Sequence, residues 1–275
     1  MQVRDSQQEN RWLRIFAYSQ MGAGKTELGA EFPNQVWVDF DRSDMTLDAK
    51  GLSVPVLSPE NEDEIRALID HPEESLEYLL KDTKFEGYKP ETFVWDTVSS
   101  MQNVVFGDGP RKQVEVFGGN VVLEKEKAWG IMREPNSRDN PAIPAPKDYR
   151  LFEVRFRGII AKICQMPYHT ICTSHSGLDL TPDSPRNLSA PDSQKTYQGY
   201  PNIVGKMKYD IGKDYDFYLY LYVRSGSHFM ASQDYGKFNA RTRVKGVMPA
   251  QVDWTNKSAF KILTDYYNKS KEKHS

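Results

Sequence analysis

The chain lacks the features that mark membrane, disulfide-bonded and zinc-bound proteins. Only two of its 275 residues are cysteine and five are histidine, and neither set has the spacing of metal ligands. No apolar run approaches the roughly 18 residues of a membrane-spanning helix. The polar N-terminus, MQVRDSQQENRW, has no secretory signal. We therefore expect a cytoplasmic protein with no membrane partner, in which Cys164 and Cys172 are buried free thiols.

A strong charge of one sign is also missing. The net charge is −2 and the pI is about 6.2. This balance argues against a protein that coats nucleic acid by bulk charge, although a local basic groove remains compatible with it. The length of 275 residues is enough for one large α/β domain, or for a domain with a small appendage. Apolar residues make up 39% of the chain, which is ordinary for a soluble protein.

What the chain does contain is a strand–loop–helix pattern within residues 12–41. An apolar run over 12–18 predicts a buried strand, and a turn that ends in Gly24-Lys25-Thr26 follows it. A short helix pattern and a second apolar strand come next. This layout is typical of a P-loop, which binds the phosphates of ATP or GTP. The competing interpretation is a chance GKT tripeptide in a turn, and the flanking strand and helix argue against it.

Each residue type in this loop suits phosphate chemistry. Backbone N–H groups from Met21 to Thr26 can surround a β-phosphate, and Lys25 can reach the β- and γ-phosphates. The Thr26 hydroxyl can bind Mg²⁺, so we expect ATP and Mg²⁺ as cofactors. Ser19 stands where the pattern has glycine, which leaves the path of the loop open. The predicted cofactor-binding residues are Gly22, Ala23, Gly24, Lys25, Thr26 and Glu27.

Two later strands end in acids that suit the other half of such a site. The strand over 92–97 contains Asp96 near its end, which we expect to hold Mg²⁺ together with Thr26. The strand over 35–40 leads to Asp41, which we expect to position or activate the attacking water. For each acid the alternative is a solvated strand end that caps the following turn or helix.

A third apolar strand, over 168–174, is followed by His175. A side chain at this position can sense the γ-phosphate and pass its state to the next loop. We therefore predict His175 as the sensor, with Ser174 as the second choice. A surface histidine without that role is the alternative.

Five stretches, in this order, resemble the phage-encoded RecA-like P-loop ATPases, a family of short nucleotide-binding proteins that includes single-strand annealing recombinases. The stretches are YSQMGAGKTELGAEFP, VWVDFDRS, FVWDTVSS, TICTSH and KFNARTRVKGVMPAQVDW. The resemblance covers roughly residues 12–267. It implies a RecA-like P-loop fold, ATP hydrolysis and assembly of identical subunits into a ring or filament. Asp41 stands where RecA has glutamate, and the resemblance implies that this shorter acid either slows hydrolysis or recruits an extra water. His175 stands where RecA has its glutamine sensor.

Residues from a neighbouring subunit also enter the site in this family. The resemblance implies that Arg241 and Arg243 complete the neighbour's nucleotide site and so belong to the catalytic set. A solvated basic strand end is the alternative. The predicted catalytic residues are Lys25, Asp41, Asp96, His175, Arg241 and Arg243.

The strand and helix patterns predict an α/β fold with a mainly parallel twisted sheet. Helices should cover both faces, and antiparallel strands should form the C-terminal edge. We expect a flexible arm over 1–11, one RecA-like domain over 12–268 and a charged tail over 269–275. Two irregular stretches rich in glycine and proline, 102–149 and 176–205, interrupt the domain.

The resemblance also implies that DNA-binding loops occupy these two irregular stretches. The second stretch and the residues just after it mix basic and aromatic side chains, which suits single strands, although nearby acids weaken the signal. The predicted DNA-binding residues are Arg186, Lys195, Tyr197, Tyr200, Lys206 and Lys208.

These expectations give one preferred function and two alternatives. The preferred function is a slow ATPase that assembles on single-stranded DNA during recombination or annealing, with a phage or host replication or recombination protein as a further partner. The first alternative is a P-loop ATPase that acts on a protein during replisome loading or virion assembly and has no DNA affinity. A nucleotide kinase is least favoured, because the chain has no arginine-rich lid.

Overall fold

The computed structural model of the chain describes residues 12–41, 44–105, 146–180, 197–244 and 246–273. The predicted arm over 1–11 lies outside the described residues, as do the larger part of the first irregular stretch and the middle of the second. No helix in the described part of the chain is long and apolar enough to cross a membrane.

In the described part of the chain, a central sheet of ten strands organises the fold. The strands are β1 (Arg14–Ser19), β2 (Gln35–Asp39), β3 (Val56–Leu57), β4 (Thr92–Asp96), β5 (His169–Leu180), β6 (Tyr197–Pro201), β7 (Phe217–Arg224), β8 (Ser227–Ala231), β9 (Arg241–Thr242) and β10 (Gln251–Asp253). Their order is β10-β8-β7-β1-β5-β4-β2-β3, with β6 paired to β5 and β9 paired to β7. The strands from β7 to β3 along this order pair in parallel, whereas β8 and β10 are antiparallel. The predicted mainly parallel sheet with an antiparallel C-terminal edge is therefore confirmed.

Helices cover both faces of the sheet. They are α1 (Lys25–Ala30), α2 (Asp44–Ala49), α3 (Glu62–Asp70), α4 (Pro72–Leu80), α5 (Pro146–Ile163), α6 (Met207–Asp210) and α7 (Ala259–Glu272). A further helix over 98–105 follows β4. Side chains alternate along each strand, so neighbouring residues enter different cores. Phe16 packs in the core that includes side chains of α3, α4 and α5, while Ile15 packs in the core that includes those of α1 and α7.

Strand residues are buried on both faces, which explains their near-continuous apolar character. All five residues of β2 and all five of β4 are buried. Helix α1 packs closely on this sheet through Gly29, where a Cβ atom would lie 2.9 Å from Trp37 Cη2 and 3.0 Å from Val94 Cγ1. Cys164 and Cys172 are buried free thiols, as predicted.

The second irregular stretch is partly regular, so the prediction for 176–205 is wrong at both of its ends. Strand β5 continues to Leu180, and β6 pairs with it in antiparallel register, with Leu180 opposite Tyr197. The segments SGLDL and YQGYP carry little strand propensity of their own because of their glycines and proline. These two segments become strands because they pair with each other.

The predicted boundaries of the first irregular stretch and of the tail also fall inside helices. The helix over 98–105 extends into the predicted stretch 102–149, and α5 begins at Pro146 before that stretch ends. Helix α7 continues to Glu272 and so contains most of the predicted tail. Its side chains at Ala259, Leu263 and Tyr267 are buried, which explains why the last helix belongs to the folded domain.

Candidate active site

The chain between β1 and α1 forms the loop that the sequence predicts. Gly22 and Gly24 have φ values of 76° and 98°, in the left-handed region that favours glycine. Gly24 is the residue before α1, and its carbonyl accepts a hydrogen bond from the N–H of Leu28 at 2.9 Å. The loop therefore delivers Lys25 and Thr26 as the first two residues of the helix, as a P-loop requires.

Lys25 is buried at the base of this loop, with 8% of its surface exposed. Its Nζ atom lies 3.4 Å from Ser19 Oγ and 3.5 Å from the Gln20 carbonyl oxygen. Burial lowers the pKa of Lys25, and the negative charges of Asp96 and Asp41 oppose that shift. Ser19, the departure from the glycine pattern, is the buried last residue of β1 and places its hydroxyl beside the lysine.

Parallel pairing brings the ends of the neighbouring strands to the same edge of the sheet. Ser19 of β1 pairs with His175 of β5, and Asp39 of β2 pairs with Asp96 of β4. The Thr173 hydroxyl of β5 donates a hydrogen bond to Asp96 Oδ1. Residues from four strands therefore converge beside the P-loop.

Asp41 and His175 form a pair at this edge. The Nε2 atom of His175 lies 3.0 Å from Asp41 Oδ2, and the Thr97 hydroxyl donates to the same oxygen at 2.8 Å. Burial alone raises the pKa of Asp41, but hydrogen bonds from His175, Ser100 and Thr97, together with the charge on His175, lower it to about 2. Asp41 is therefore ionised at neutral pH and held in one orientation.

These residues line a cleft of about 590 Å³, within the range of small-molecule sites, about 300–1,000 Å³. Its walls are Met21, Gly22, Gly24, Lys25, Thr26, Glu27, Asp41, Thr46, Asp96, Thr97 and His175. The structure thus brings together the predicted residues of the loop and of the strand ends. Among the residues predicted at the loop and the strand ends, Ala23 and Ser174 do not line the cleft, and both are buried.

Sequence reasoning missed two residues of the cleft. Thr97 follows Asp96 in the segment DTVSS, and this run of hydroxyl side chains after an acid was a usable signal. Thr46 lies in α2, and no motif in the sequence pointed to it.

The cleft offers oxygen donors that fit Mg²⁺. The Thr26 hydroxyl and the Asp96 carboxylate are hard ligands of the kind that Mg²⁺ prefers. Within the described ranges, no cluster of three or more His, Cys, Asp or Glu side chains could hold a metal ion. The residues therefore fit a Mg²⁺ ion that shares its coordination with nucleotide phosphates, and not a metal held by protein side chains alone.

Arg241 and Arg243 lie away from this cleft. Arg241 pairs with Tyr218 of β7, which in turn neighbours Phe16 of β1, three residues before the loop. The Arg241 guanidinium carbon lies 5.8 Å from the Tyr218 ring centre, and Arg243 donates to the Lys213 carbonyl. Both arginines are exposed, so their expected role at a neighbouring subunit's site stays a prediction.

The predicted DNA-binding residues have unequal surroundings. Tyr200 is only 4% exposed and packs edge-on against Tyr209, with ring centres 4.6 Å apart. The expectation that bases stack on Tyr200 is therefore wrong, because its ring is occupied by the core around β6. Tyr197 is 37% exposed and Lys206 is exposed.

The remaining predicted DNA contacts are Lys208, Arg186 and Lys195. Lys208 is half-buried, and its Nζ atom lies 5.4 Å from the Tyr209 ring centre. Arg186 and Lys195 lie outside the described residues.

Comparison with known proteins agrees with this geometry. Residues 11–244 match the model of the AAA_24 family, which is described as an AAA domain. The chain belongs to this family. Membership indicates an AAA-type P-loop ATPase, and it leaves the phage origin and the RecA-like subtype as predictions.

Two further comparisons add little to the AAA domain assignment. No curated protein matches the chain. Among solved structures, the signal recognition particle receptor SRb-GDP from Chaetomium thermophilum is 13% identical, over 60% of this chain and 91% of that one, with a TM-score of 0.16. A score this low supports no conclusion about fold or function.

Lys25→Met tests the P-loop directly. It removes the ammonium group and keeps most of the apolar stem, so the fold should survive. Affinity for a fluorescent ATP analogue should fall roughly 10- to 100-fold, since hydrogen bonds to charged groups contribute about 1.5–3 kcal/mol. Lys261→Met, an exposed change on α7, is the matched control. Equal affinity in both variants would show that the loop does not bind phosphate.

Proposed function

We propose that this AAA-domain protein binds ATP with Mg²⁺ in the cleft and hydrolyses it slowly. The observation that carries the proposal is the convergence of Lys25, Thr26, Asp96 and the Asp41–His175 pair around one opening. A lysine and backbone N–H groups suit the phosphates, and carboxylates on the opposite side suit the metal and the water. No other described pocket combines these chemistries.

Each side of the cleft has a distinct part in this proposal. Lys25 and the N–H groups of the loop hold the β- and γ-phosphates. Thr26 and Asp96 hold Mg²⁺, which when bound neutralises phosphate charge. The Thr173 hydroxyl fixes the orientation of the Asp96 carboxylate through its hydrogen bond to Oδ1.

Asp41 is suited to orienting the attacking water. A carboxylate with a pKa of about 2 is a weak general base at neutral pH, because proton transfer to it is unfavourable. The hydrogen bonds that Thr97 and His175 make with Asp41 fix the position of its carboxylate. A residue that only positions the attacking water accelerates hydrolysis less than a residue that also removes a proton from it. A low turnover rate follows from this geometry.

Asp41→Asn should keep ATP–Mg²⁺ binding and lower turnover by ~10²-fold, the scale of a misplaced reacting group. The amide has the same size but no charge, so it cannot attract the water's protons or pair with a charged His175. Phosphate release and ATP affinity are measured in parallel.

Asp48→Asn is the matched control for that experiment, because Asp48 is an exposed acid on α2 outside the cleft. Its turnover should equal that of the unaltered protein. Unchanged turnover in the Asp41 variant would leave Asp41 as a solvated turn residue without a catalytic role.

We further propose that nucleotide binding is coupled to single-stranded DNA, in recombination or annealing. The support is the position of His175 between the cleft and the β5–β6 hairpin. Its ring contacts Asp41, while its carbonyl accepts a hydrogen bond from the N–H of Asn202, at the end of β6, at 2.7 Å. A γ-phosphate that displaces the ring would therefore shift the base of the hairpin, where Ser176 pairs with Pro201.

The helix over 98–105 adds a second connection between the same two regions. The Gln102 side chain donates to the Asn202 carbonyl at 3.0 Å and accepts from the N–H of Val204 at 2.9 Å. Ser99 Oγ accepts a hydrogen bond from the N–H of His175 at 3.2 Å. The base of the hairpin, where Ser176 pairs with Pro201 and after which Lys206 is exposed, is thus linked to the helix that follows Asp96 and Thr97.

Binding of a labelled oligonucleotide should depend on ATP–Mg²⁺, favour single strands over duplex and weaken with salt. Replacing the four predicted basic residues, Arg186, Lys195, Lys206 and Lys208, by alanine should lower affinity and leave basal ATPase activity unchanged. A Lys269→Ala, Lys271→Ala double variant is the control, because it removes two positive charges at exposed positions on α7. Fluorescence anisotropy that shows no binding at low salt would favour an ATPase that acts on a protein partner.

Assembly of identical subunits is the third part of the proposal, with Arg241 and Arg243 acting at a neighbour's nucleotide. Their exposure, Arg241 on β9 and Arg243 just after it, and their position outside their own cleft support this role. ATPase rate should then rise more than linearly with protein concentration below the assembly threshold. Mixing Lys25→Ala subunits with an Arg241→Ala, Arg243→Ala double variant should restore some activity, because mixed interfaces regain one intact site. A protein that stays monomeric with ATP, and variants that never complement, would contradict it.

A further inference from the structure

A second pocket lies at the same edge of the sheet as the P-loop, on the side away from Asp41. Strand β7 is parallel to β1, β8 is antiparallel to β7, and β10 is antiparallel to β8. Two reversals make β10 run in the direction of β1. The loop that follows β10 therefore reaches the edge at which β1 delivers the P-loop.

This pocket directly adjoins the phosphate loop. It has a volume of about 540 Å³ and is lined by α1, the start of β8 and the loop from Trp254 to Ser258. Glu27 lines both this pocket and the cleft. A Cβ atom on Gly24 would lie 3.0 Å from His228 Nδ1 and 3.1 Å from Trp254 Cζ2. A ligand whose phosphates occupy the P-loop can therefore extend past Glu27 into this pocket.

Two buried nitrogen atoms in the pocket wall have no partner among the residues that the structure describes. They are His228 Nδ1 and Trp254 Nε1. Buried polar atoms are normally hydrogen-bonded, and an unpaired one costs free energy. The two rings meet edge to face, with centres 5.6 Å apart, which gives the pocket an aromatic wall.

The loop after β10 is held in place before any ligand binds. The N–H of Trp254 donates to the His228 carbonyl at 3.0 Å, and the N–H of His228 donates to Thr255 Oγ1 at 2.8 Å. The N–H of Thr255 donates to Asp253 Oδ1 at 2.9 Å. A loop fixed in this way binds a ligand with little ordering cost.

Asn256 is the residue of this loop best suited to reading a base. It has a left-handed φ of 55° and an exposed side chain that lines the pocket. Its amide both donates and accepts hydrogen bonds, as the edge of a nucleobase requires. Glu31, on the opposite wall, offers a carboxylate that can accept hydrogen bonds from ribose hydroxyls.

We propose that this pocket binds the base and ribose of the nucleoside triphosphate whose phosphates lie on the P-loop. The base lies against the wall formed by His228 and Trp254, and Asn256 contacts its edge. The inference rests on the proposed function, since it assigns the other half of the same ligand.

Comparison of ATP with inorganic tripolyphosphate tests the assignment, because tripolyphosphate has the phosphates but neither base nor ribose. Both should bind the unaltered protein in isothermal titration calorimetry with Mg²⁺. Asn256→Gly removes the amide and tolerates the left-handed backbone. It should weaken ATP binding by about 3- to 10-fold, the effect of one neutral hydrogen bond, and leave tripolyphosphate binding unchanged.

Two further variants keep the test decisive. His228→Gln keeps a polar side chain but removes the ring, and should also weaken ATP alone. Lys261→Ala, exposed on α7 outside the pocket, should affect neither ligand. Circular dichroism and thermal unfolding are measured to check that each variant is folded.

The outcomes separate this inference from the function on which it rests. If unaltered protein binds tripolyphosphate and ATP, but both pocket variants bind ATP normally, the base lies elsewhere and the inference is wrong. Equal loss of both ligands in folded pocket variants would also overturn it, since the pocket would then act on the phosphates. If unaltered protein binds neither ligand, the nucleotide function itself fails.

Discussion

In a parallel sheet all strands finish at the same edge, and the cleft of this protein depends on that constraint. The order β1-β5-β4-β2 places Ser19 beside His175 and Asp39 beside Asp96. A shift of one residue in either register would turn these side chains to the other face of the sheet. The two buried cores fix the register, because each strand has apolar residues on both faces.

The cleft combines opposite charges at close range. Burial lowers the pKa of Lys25, and the carboxylates of Asp96 and Asp41 act in the other direction. A bound phosphate would add to the negative charge around the lysine and favour its charged form. The same phosphate is repelled by the two carboxylates unless a cation lies between them, which is why a Mg²⁺ ion belongs to the proposed ligand.

The Asp41–His175 contact connects this chemistry to the remainder of the fold. His175 belongs to β5, which continues past the cleft into the hairpin with β6. Gln102 and Ser99 hold the same region from the helix after β4. The cleft and the hairpin are therefore joined by hydrogen bonds from two elements, a geometry in which one site can bias the other.

The sequence by itself determined the P-loop, the acids at the ends of β2 and β4, and the alternation of strands and helices. These features depend on neighbours in the chain: glycines at positive φ, apolar runs and the residues that follow them. Asp41 and His175 could each be predicted, but their contact could not, because 134 residues separate them and only strand order brings them together.

Only the tertiary structure decided the surroundings of the other predicted residues. Tyr200 looked like a stacking platform and is buried against Tyr209, since β6 pairs with an extended β5 that the sequence did not indicate. Arg241 lies beside Tyr218 and outside its own cleft, because β9 pairs with β7 below the P-loop. The pocket of His228 and Trp254 exists because two antiparallel pairings return β10 to the direction of β1. Pairing between segments that are distant in the sequence sets the positions of these residues, and local sequence patterns do not predict that pairing.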